Sequence, residues 1–308
     1  MQARLKIAAV AFLGLLAGWQ VSVGFRQTRS NFTTFPTRSQ AMSPVDCGPN
    51  VSVVSLSIPR ANVAALRAWY VPPRNGATIV LLHGTGADGA SLTGDFCMYA
   101  HADFGVLGYD GPGYGQSGGR IGWGEGERQA FYAATRWLRE QPGQRGMRIG
   151  AVGYSAGGFI LACAAARDTD VDAIVLAGAP ASMRDQVLRE VGGPGSLKAI
   201  GALLAFAMFH DASGGDPQAV DCVSRIGPRP LLVIAGQHDP VVGPGVAEGL
   251  FRHARPPAEM WVVPGARHVD YLSAAGDVYR SHMLRFFWNA LLPTPARSAN
   301  LAGGTPSP

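Results

Sequence analysis

The chain has 308 residues, 47% of them hydrophobic and only 15% charged, a balance that suits one sizeable globular domain with a buried sheet and excludes a wholly disordered chain. Net charge is +5, but the basic residues are scattered, nearly all are arginine, and none form a block beside a nucleic-acid reading motif, so no nucleic-acid partner is expected. The four cysteines, Cys47, Cys97, Cys163 and Cys222, lack C-x-x-C spacing, which excludes the common zinc and thioredoxin-like patterns.

Arg4 and Lys6 precede an uncharged stretch, Ile7 to Phe25, so residues 1–25 read as a signal peptide or a membrane anchor. Ser22-Val23-Gly24 offers a small-residue cleavage site, while the whole stretch approaches the roughly 20 residues needed to span a bilayer. Positive charges flank it on both sides and give weak guidance on orientation. The expectation is an exported or membrane-anchored domain, in a bacterial inner membrane or periplasm. Residues 26–50, rich in Ser, Thr, Arg and Pro, read as a flexible tether, and residues 293–308, rich in Pro and Gly, as a disordered tail. The folded domain is expected over residues 51–292.

Val51 to Ile58 and Ala65 to Val71 read as an edge hairpin. Six apolar runs follow: Thr78 to Leu82, Phe104 to Tyr109, Met147 to Val152, Asp172 to Ala177, Leu231 to Ala235 and Met260 to Val263. Helical stretches lie between or after them at Glu125 to Glu140, Ala156 to Ala166, Gly245 to His253 and Ala275 to Leu291. Such alternation predicts an α/β fold with a doubly wound, mostly parallel sheet. The connection from Ala181 to Val223, between the sixth and seventh strands, is longer than an ordinary loop and is expected to be a cap insertion. Within it Ala199 to Phe209 is almost wholly apolar, as core packing, an acyl-binding wall or a membrane-facing surface would each require. Cys163 lies on the helix after the fifth strand and reads as a small core residue, leaving the other cysteines as disulfide candidates.

Gly153-Tyr154-Ser155-Ala156-Gly157 joins an apolar run to a helical stretch, the order of a nucleophile elbow. The glycines let strand and helix backbones approach, and the tight turn exposes the Ser155 hydroxyl. A serine hydroxyl needs a base within hydrogen-bond reach, itself oriented by a carboxylate. In this motif's chain order both follow the serine, after late strands, where Asp239 and His268 stand. Asp221 and Asp270 are substitutes for the acid. His83, His101 and His253 precede the elbow or sit on a helix, His210 lies in the insertion, His282 late on the last helix, and His238 abuts the proposed acid. Charge developing on a carbonyl oxygen needs fixed donors, for which the Ala156 and Thr85 backbone N–H groups are the candidates. His83 reads as a brace for the Thr85 loop, and Asp110 to Gly118 as a structural loop at the site rim.

Taken jointly, His83-Gly84, the Asp110 to Gly118 turn, the Gly153 to Gly157 elbow, Asp239, and Gly265 with His268 resemble the α/β-hydrolase superfamily. The resemblance is to its serine aminopeptidase-like or acylglycerol lipase-like branch, which includes depalmitoylase-like hydrolases. It runs from about Val51 to Leu292 and implies the α/β-hydrolase fold and ester, thioester or amide hydrolysis with no cofactor and no metal. Two segments depart from it: Thr85-Gly86-Ala87-Asp88 stands where many members carry an Asn-containing segment, and Gly111-Pro112 where Arg-Gly is common. The expected protein is a serine hydrolase of small-molecule acyl esters or thioesters, associated with a membrane through residues 7–25. A peptidase or acyltransferase on the same triad and a noncatalytic binding protein are the rivals.

Overall fold

The computed structural model describes residues 2–33, 45–60, 63–168 and 170–292. A long helix, α1 (Gln2–Ser30), leads into an edge hairpin of β1 (Val54–Arg60) and β2 (Val63–Val71). There follow β3 (Ala77–Leu82), α2 (Thr93–His101), β4 (Gly105–Tyr109), α3 (Glu125–Glu140), β5 (Arg148–Tyr154), α4 (Ala156–Ala165) and β6 (Ala173–Ala177). The insertion supplies α5 (Met183–Glu190), α6 (Leu197–Phe209) and α7 (Ala219–Val223), and the chain closes with β7 (Leu231–Gly236), α8 (Pro244–His253), β8 (Ala258–Val263) and α9 (Tyr271–Leu291).

The eight strands form one sheet in the order β1-β2-β4-β3-β5-β6-β7-β8. β2 is antiparallel to both β1 and β4, and every other neighbouring pair is parallel. The central strands are apolar at consecutive positions because both faces are covered: each residue of β3, β4, β6 and β7 is buried. Alternate side chains serve opposite layers. Val80, Ile174 and Leu176 pack with Phe131, Phe159 and Ile160 of α3 and α4, whereas Ile79, Val175 and Ile234 pack with Phe96, Tyr279 and Phe287 of α2 and α9. All eight expected strands are present, and the expected doubly wound sheet with an insertion between β6 and β7 is borne out.

Three readings change. α2 was not expected; it carries a half-buried acid, Asp95, whose Oδ1 accepts from the Tyr279 hydroxyl at 2.8 Å, so its sequence lacks a plain apolar stripe. α9 begins at Tyr271 rather than Ala275 and is interrupted at Gly276, whose φ of 47° breaks the helical path. Cys163 is not a lone core residue: it is bonded to Cys222, tying α4 to α7, while Cys47 is bonded to Cys97 on α2. The bridges close loops of 50 and 59 residues. In the chain-entropy account such lengths are each worth about 4 kcal/mol.

The expected tether is ordered at both ends. α1 continues to Ser30, Phe32 is buried against Trp123 and Phe206, and Val45 and Cys47 are buried beside α2. Residues 34–44 of that tether and the tail at 293–308 lie outside the described residues. Within α1, Ala9–Ser30 is long and apolar enough to cross a membrane.

Candidate active site

β5 ends at Tyr154 and α4 starts at Ala156, so Ser155 alone carries the turn. Its φ of 52° and ψ of −120° are costly for a residue with a Cβ, and the surrounding packing holds them. Ser155 N–H donates to the Ala177 carbonyl on β6 at 2.8 Å. A Cβ on Gly153 would meet the Gly157 carbonyl oxygen at 2.5 Å, and one on Gly157 would meet the Leu82 and His83 carbonyl oxygens at 2.5 Å. Glycine at both positions is therefore what lets α4 pack close enough to force the elbow.

The two sequence candidates downstream converge on this serine. His268 Nε2 lies 2.9 Å from Ser155 Oγ, and His268 Nδ1 lies 2.7 Å from Asp239 Oδ2. An ionised carboxylate only accepts, so Nδ1 carries the proton toward Asp239 and Nε2 is left to accept from the serine hydroxyl. The other carboxylate oxygen, Asp239 Oδ1, accepts from the Val241 and Val242 N–H groups at 2.8 and 3.0 Å. Burial alone would push the Asp239 carboxyl up; the hydrogen bonds from His268, Val242 and Val241, with the attraction of His268, hold it below the usual carboxylate range. The substitute acids stand elsewhere: Asp221 belongs to α7, and Asp270 Oδ1 accepts from Arg267 N–H. Val269, directly after His268, and Trp123 share with Ser155 a positive φ, near 51–52°, so backbone strain gathers around the site.

The Thr85 loop abuts the serine: a Cβ on Gly84 would sit 2.9 Å from Ser155 Cβ. Ala156 follows as the first residue of α4, so both sequence-named backbone N–H groups belong to segments flanking Ser155. His83 ties this loop to its neighbour. Its Nδ1–H donates to the Gly84 carbonyl and its Nε2 accepts from Gly111 N–H, both at 2.8 Å, and burial pushes its pKa down, which suits a neutral ring in that double role.

Asp110 is a second tie between loops, its carboxylate accepting from Gly89 and Gln116 N–H groups at 2.8 Å. Burial pushes its carboxyl up to about 6, against those two hydrogen bonds. Because the folded value lies above the unfolded one, ionisation of Asp110 opposes folding, and its contribution to stability falls as pH rises from about 4 to about 6. Unfolding free energies of wild type and Asp110→Asn, measured by denaturant titration across that window, should diverge: the wild type loses stability relative to the variant as pH rises.

A pocket opens beside the serine, lined by Ala156, Gly157, Ile160, Tyr114, Trp123 and His83. Trp123 and Glu127 were not foreseen. The Glu127 carboxylate accepts from the N–H groups of Gly122, Trp123 and Gly124 at 2.7–2.9 Å and so fixes the loop that presents Trp123. Trp123 Nε1 donates to the Tyr114 hydroxyl, which is hydrogen-bonded to the Thr85 side chain. An acid three residues into a helix after a glycine-rich loop was the only signal in the sequence for this arrangement. Among the described residues no group of three or more His, Cys, Asp or Glu side chains is gathered to hold a metal ion.

The α/β-hydrolase fold family model matches residues 77–194, from β3 through the elbow into the insertion. YfhR of Escherichia coli O157:H7, itself uncharacterized, is 26% identical over 237 residues, covering 74% of this chain and 78% of that protein. In three dimensions the chain is similar to the esterase Pf2001 of Pyrococcus furiosus, with a TM-score of 0.70 at 19% identity over 84% of this chain and 98% of that one. It is also similar to the α/β hydrolase GrgF of Penicillium, with a TM-score of 0.62 at 19% identity over 78% and 99% of the two chains. The chain has the α/β-hydrolase fold.

Proposed function

We propose that the protein is a membrane-anchored serine hydrolase that cleaves carboxylic esters or thioesters through an acyl-enzyme. The observation that carries this is the continuous hydrogen-bonded series Ser155–His268–Asp239 on a strained elbow. Ser155 Oγ attacks the acyl carbon as its proton passes to His268 Nε2. The resulting imidazolium is stabilised by Asp239, which stays ionised, and the oxyanion is received by the N–H groups of Thr85 and Ala156. Collapse of the adduct returns the proton from His268 to the departing alcohol or thiol. Water, deprotonated by the same nitrogen, then releases the acid.

The anchor is α1, retained in the mature protein. Cleavage beside Gly24 would cut the helix where it lies on α6, and Thr28 and Phe32 beyond it are buried in the cap. Two disulfides that take up all four cysteines suit an oxidising compartment. The test uses the full-length protein in detergent with p-nitrophenyl esters of increasing acyl length, an aminoacyl p-nitroanilide, and a fluorophosphonate probe. Expected are labelling at Ser155 and turnover of esters with no anilide cleavage. Anilide-only turnover would make the protein a peptidase, and a Ser155 that does not react would make it a binding protein on this scaffold.

A further inference from the structure

α6 buries one side and leaves the other bare. Ala199, Ala202, Ala205 and Phe206 are buried, whereas Leu197, Ile200, Leu204 and Met208 are 48–64% exposed. Their spacing by three and four residues sets them in one stripe along the helix. A row of large apolar side chains so aligned marks a contact with something outside the domain.

What adjoins the stripe identifies that contact. α1 crosses α6 in close approach: a Cβ on Gly24 would run into the Lys198 backbone, and one on Gly201 into the Val21 and Phe25 backbone. Farther along both helices Phe25 reaches Phe209, and Phe32 reaches Phe206 and Phe209. The two helices therefore advance in the same sense, and the part of α1 before Val21 projects beyond the start of α6. Its residues 9–19 carry no charge and are almost all exposed, Val10, Phe12, Leu13, Leu15, Leu16 and Trp19 among them. The uncharged residues 7–25 rise about 28 Å at 1.5 Å each, close to the ~30 Å hydrocarbon core of a bilayer. A membrane that takes up this stretch ends where α6 begins, beside exposed Arg26 and Arg29, cations suited to lipid headgroups.

We propose that the outward stripe of α6 is a second membrane contact, lying in the lipid interface beside α1, and that the substrate is an acyl ester or thioester dissolved in that membrane. The second half rests on the hydrolase reading above; the first does not. Apolar packing continues from the helix to the site. Phe206 and Phe209 touch Phe32, and Phe32 lies 4.3 Å from Trp123 between ring centres, which lines the pocket beside Ser155. An acyl chain entering from the interface would find an apolar lining there.

All four native cysteines are bonded, so one introduced cysteine takes a fluorophore alone. Full-length protein in phosphatidylcholine–phosphatidylglycerol vesicles carries bimane at Leu204→Cys, or at Arg285→Cys on the opposite side of the sheet as control. Lipids brominated on the acyl chains should quench the label at 204 and leave that at 285 unchanged. An unquenched label at 204 overturns the membrane contact, as does one shielded from aqueous iodide only at high protein concentration, the mark of a second copy. In the same vesicles the triple variant Ile200→Gln, Leu204→Gln, Met208→Gln should lose about tenfold or more in turnover of a long-chain ester carried in the lipid, as expected when three apolar contacts go. Hydrolysis of p-nitrophenyl acetate should be unchanged. Loss of both activities, or of neither, overturns the membrane-dissolved substrate. If wild type cleaves neither ester while the label at 204 is quenched, the hydrolase reading fails and the membrane contact stands.

Discussion

Ser155→Ala should lower kcat/KM about a millionfold toward any ester the wild-type protein cleaves, the loss measured when the equivalent serine is removed from a protease. The size follows from what the substitution deletes. Without Oγ no covalent intermediate can form, and His268 Nε2, now facing a methyl group, has no proton to take at the acyl carbon. What survives is whatever the backbone donors of Thr85 and Ala156 and binding in the pocket contribute, and a water attacking under those conditions gives only residual turnover. The fold should be untouched: alanine meets the same φ of 52° as serine, and the backbone bond from residue 155 to Ala177 is kept. Coincident thermal unfolding of the two proteins, beside a loss of this order in ester hydrolysis, is the expected pair of results. A variant retaining more than about a tenth of wild-type turnover would remove Ser155 from the mechanism, since the general-base contribution alone is worth at least a hundredfold.

The sheet and the elbow were legible because the physics that builds them is local. Strands buried on both faces must be apolar at consecutive positions, and β3, β4, β6 and β7 are. A serine between glycines at a strand-to-helix junction marks itself, and chain order then directs attention to the ends of β7 and β8, where Asp239 and His268 come within hydrogen-bond distance of one series. Features that depend on distant partners were not legible. Cys163 finds Cys222 only because α7 packs on α4, and no spacing in the chain announces it. Asp95 makes α2 hard to read because its burial is compensated by Tyr279, 184 residues away. Residues 26–33 are polar enough to read as tether, yet the cap buries Thr28 and Phe32 once α6 is in place. Trp123 gains its place in the pocket from three backbone N–H groups converging on Glu127, a contact that composition cannot encode.

Asp239→Asn should cost about 10⁴ in kcat with little change in KM, as in a protease where the equivalent exchange leaves the geometry intact and reverses the histidine tautomer. In the wild type the carboxylate fixes that tautomer: Oδ2 can only accept, so His268 Nδ1 is protonated and Nε2 is free for the serine proton. Asparagine can keep Oδ1 on the Val241 and Val242 N–H groups, which directs its amide nitrogen, a donor, at His268 Nδ1. The ring then has to accept at Nδ1 and carry its proton on Nε2, pointing at a hydroxyl it should deprotonate. The same substitution has a thermodynamic signature that a loss of packing would not produce. The folded carboxyl lies below its unfolded value, so its ionisation contributes stability that is present above the unfolded pKa and is lost as pH falls through the folded one. In Asp239→Asn that term is absent, so stability should fall less steeply than in the wild type as pH drops below the ordinary carboxylate range. Equal acid slopes for the two proteins, or a kcat within tenfold of wild type, would mean that Asp239 neither holds a charge for His268 nor sets its tautomer.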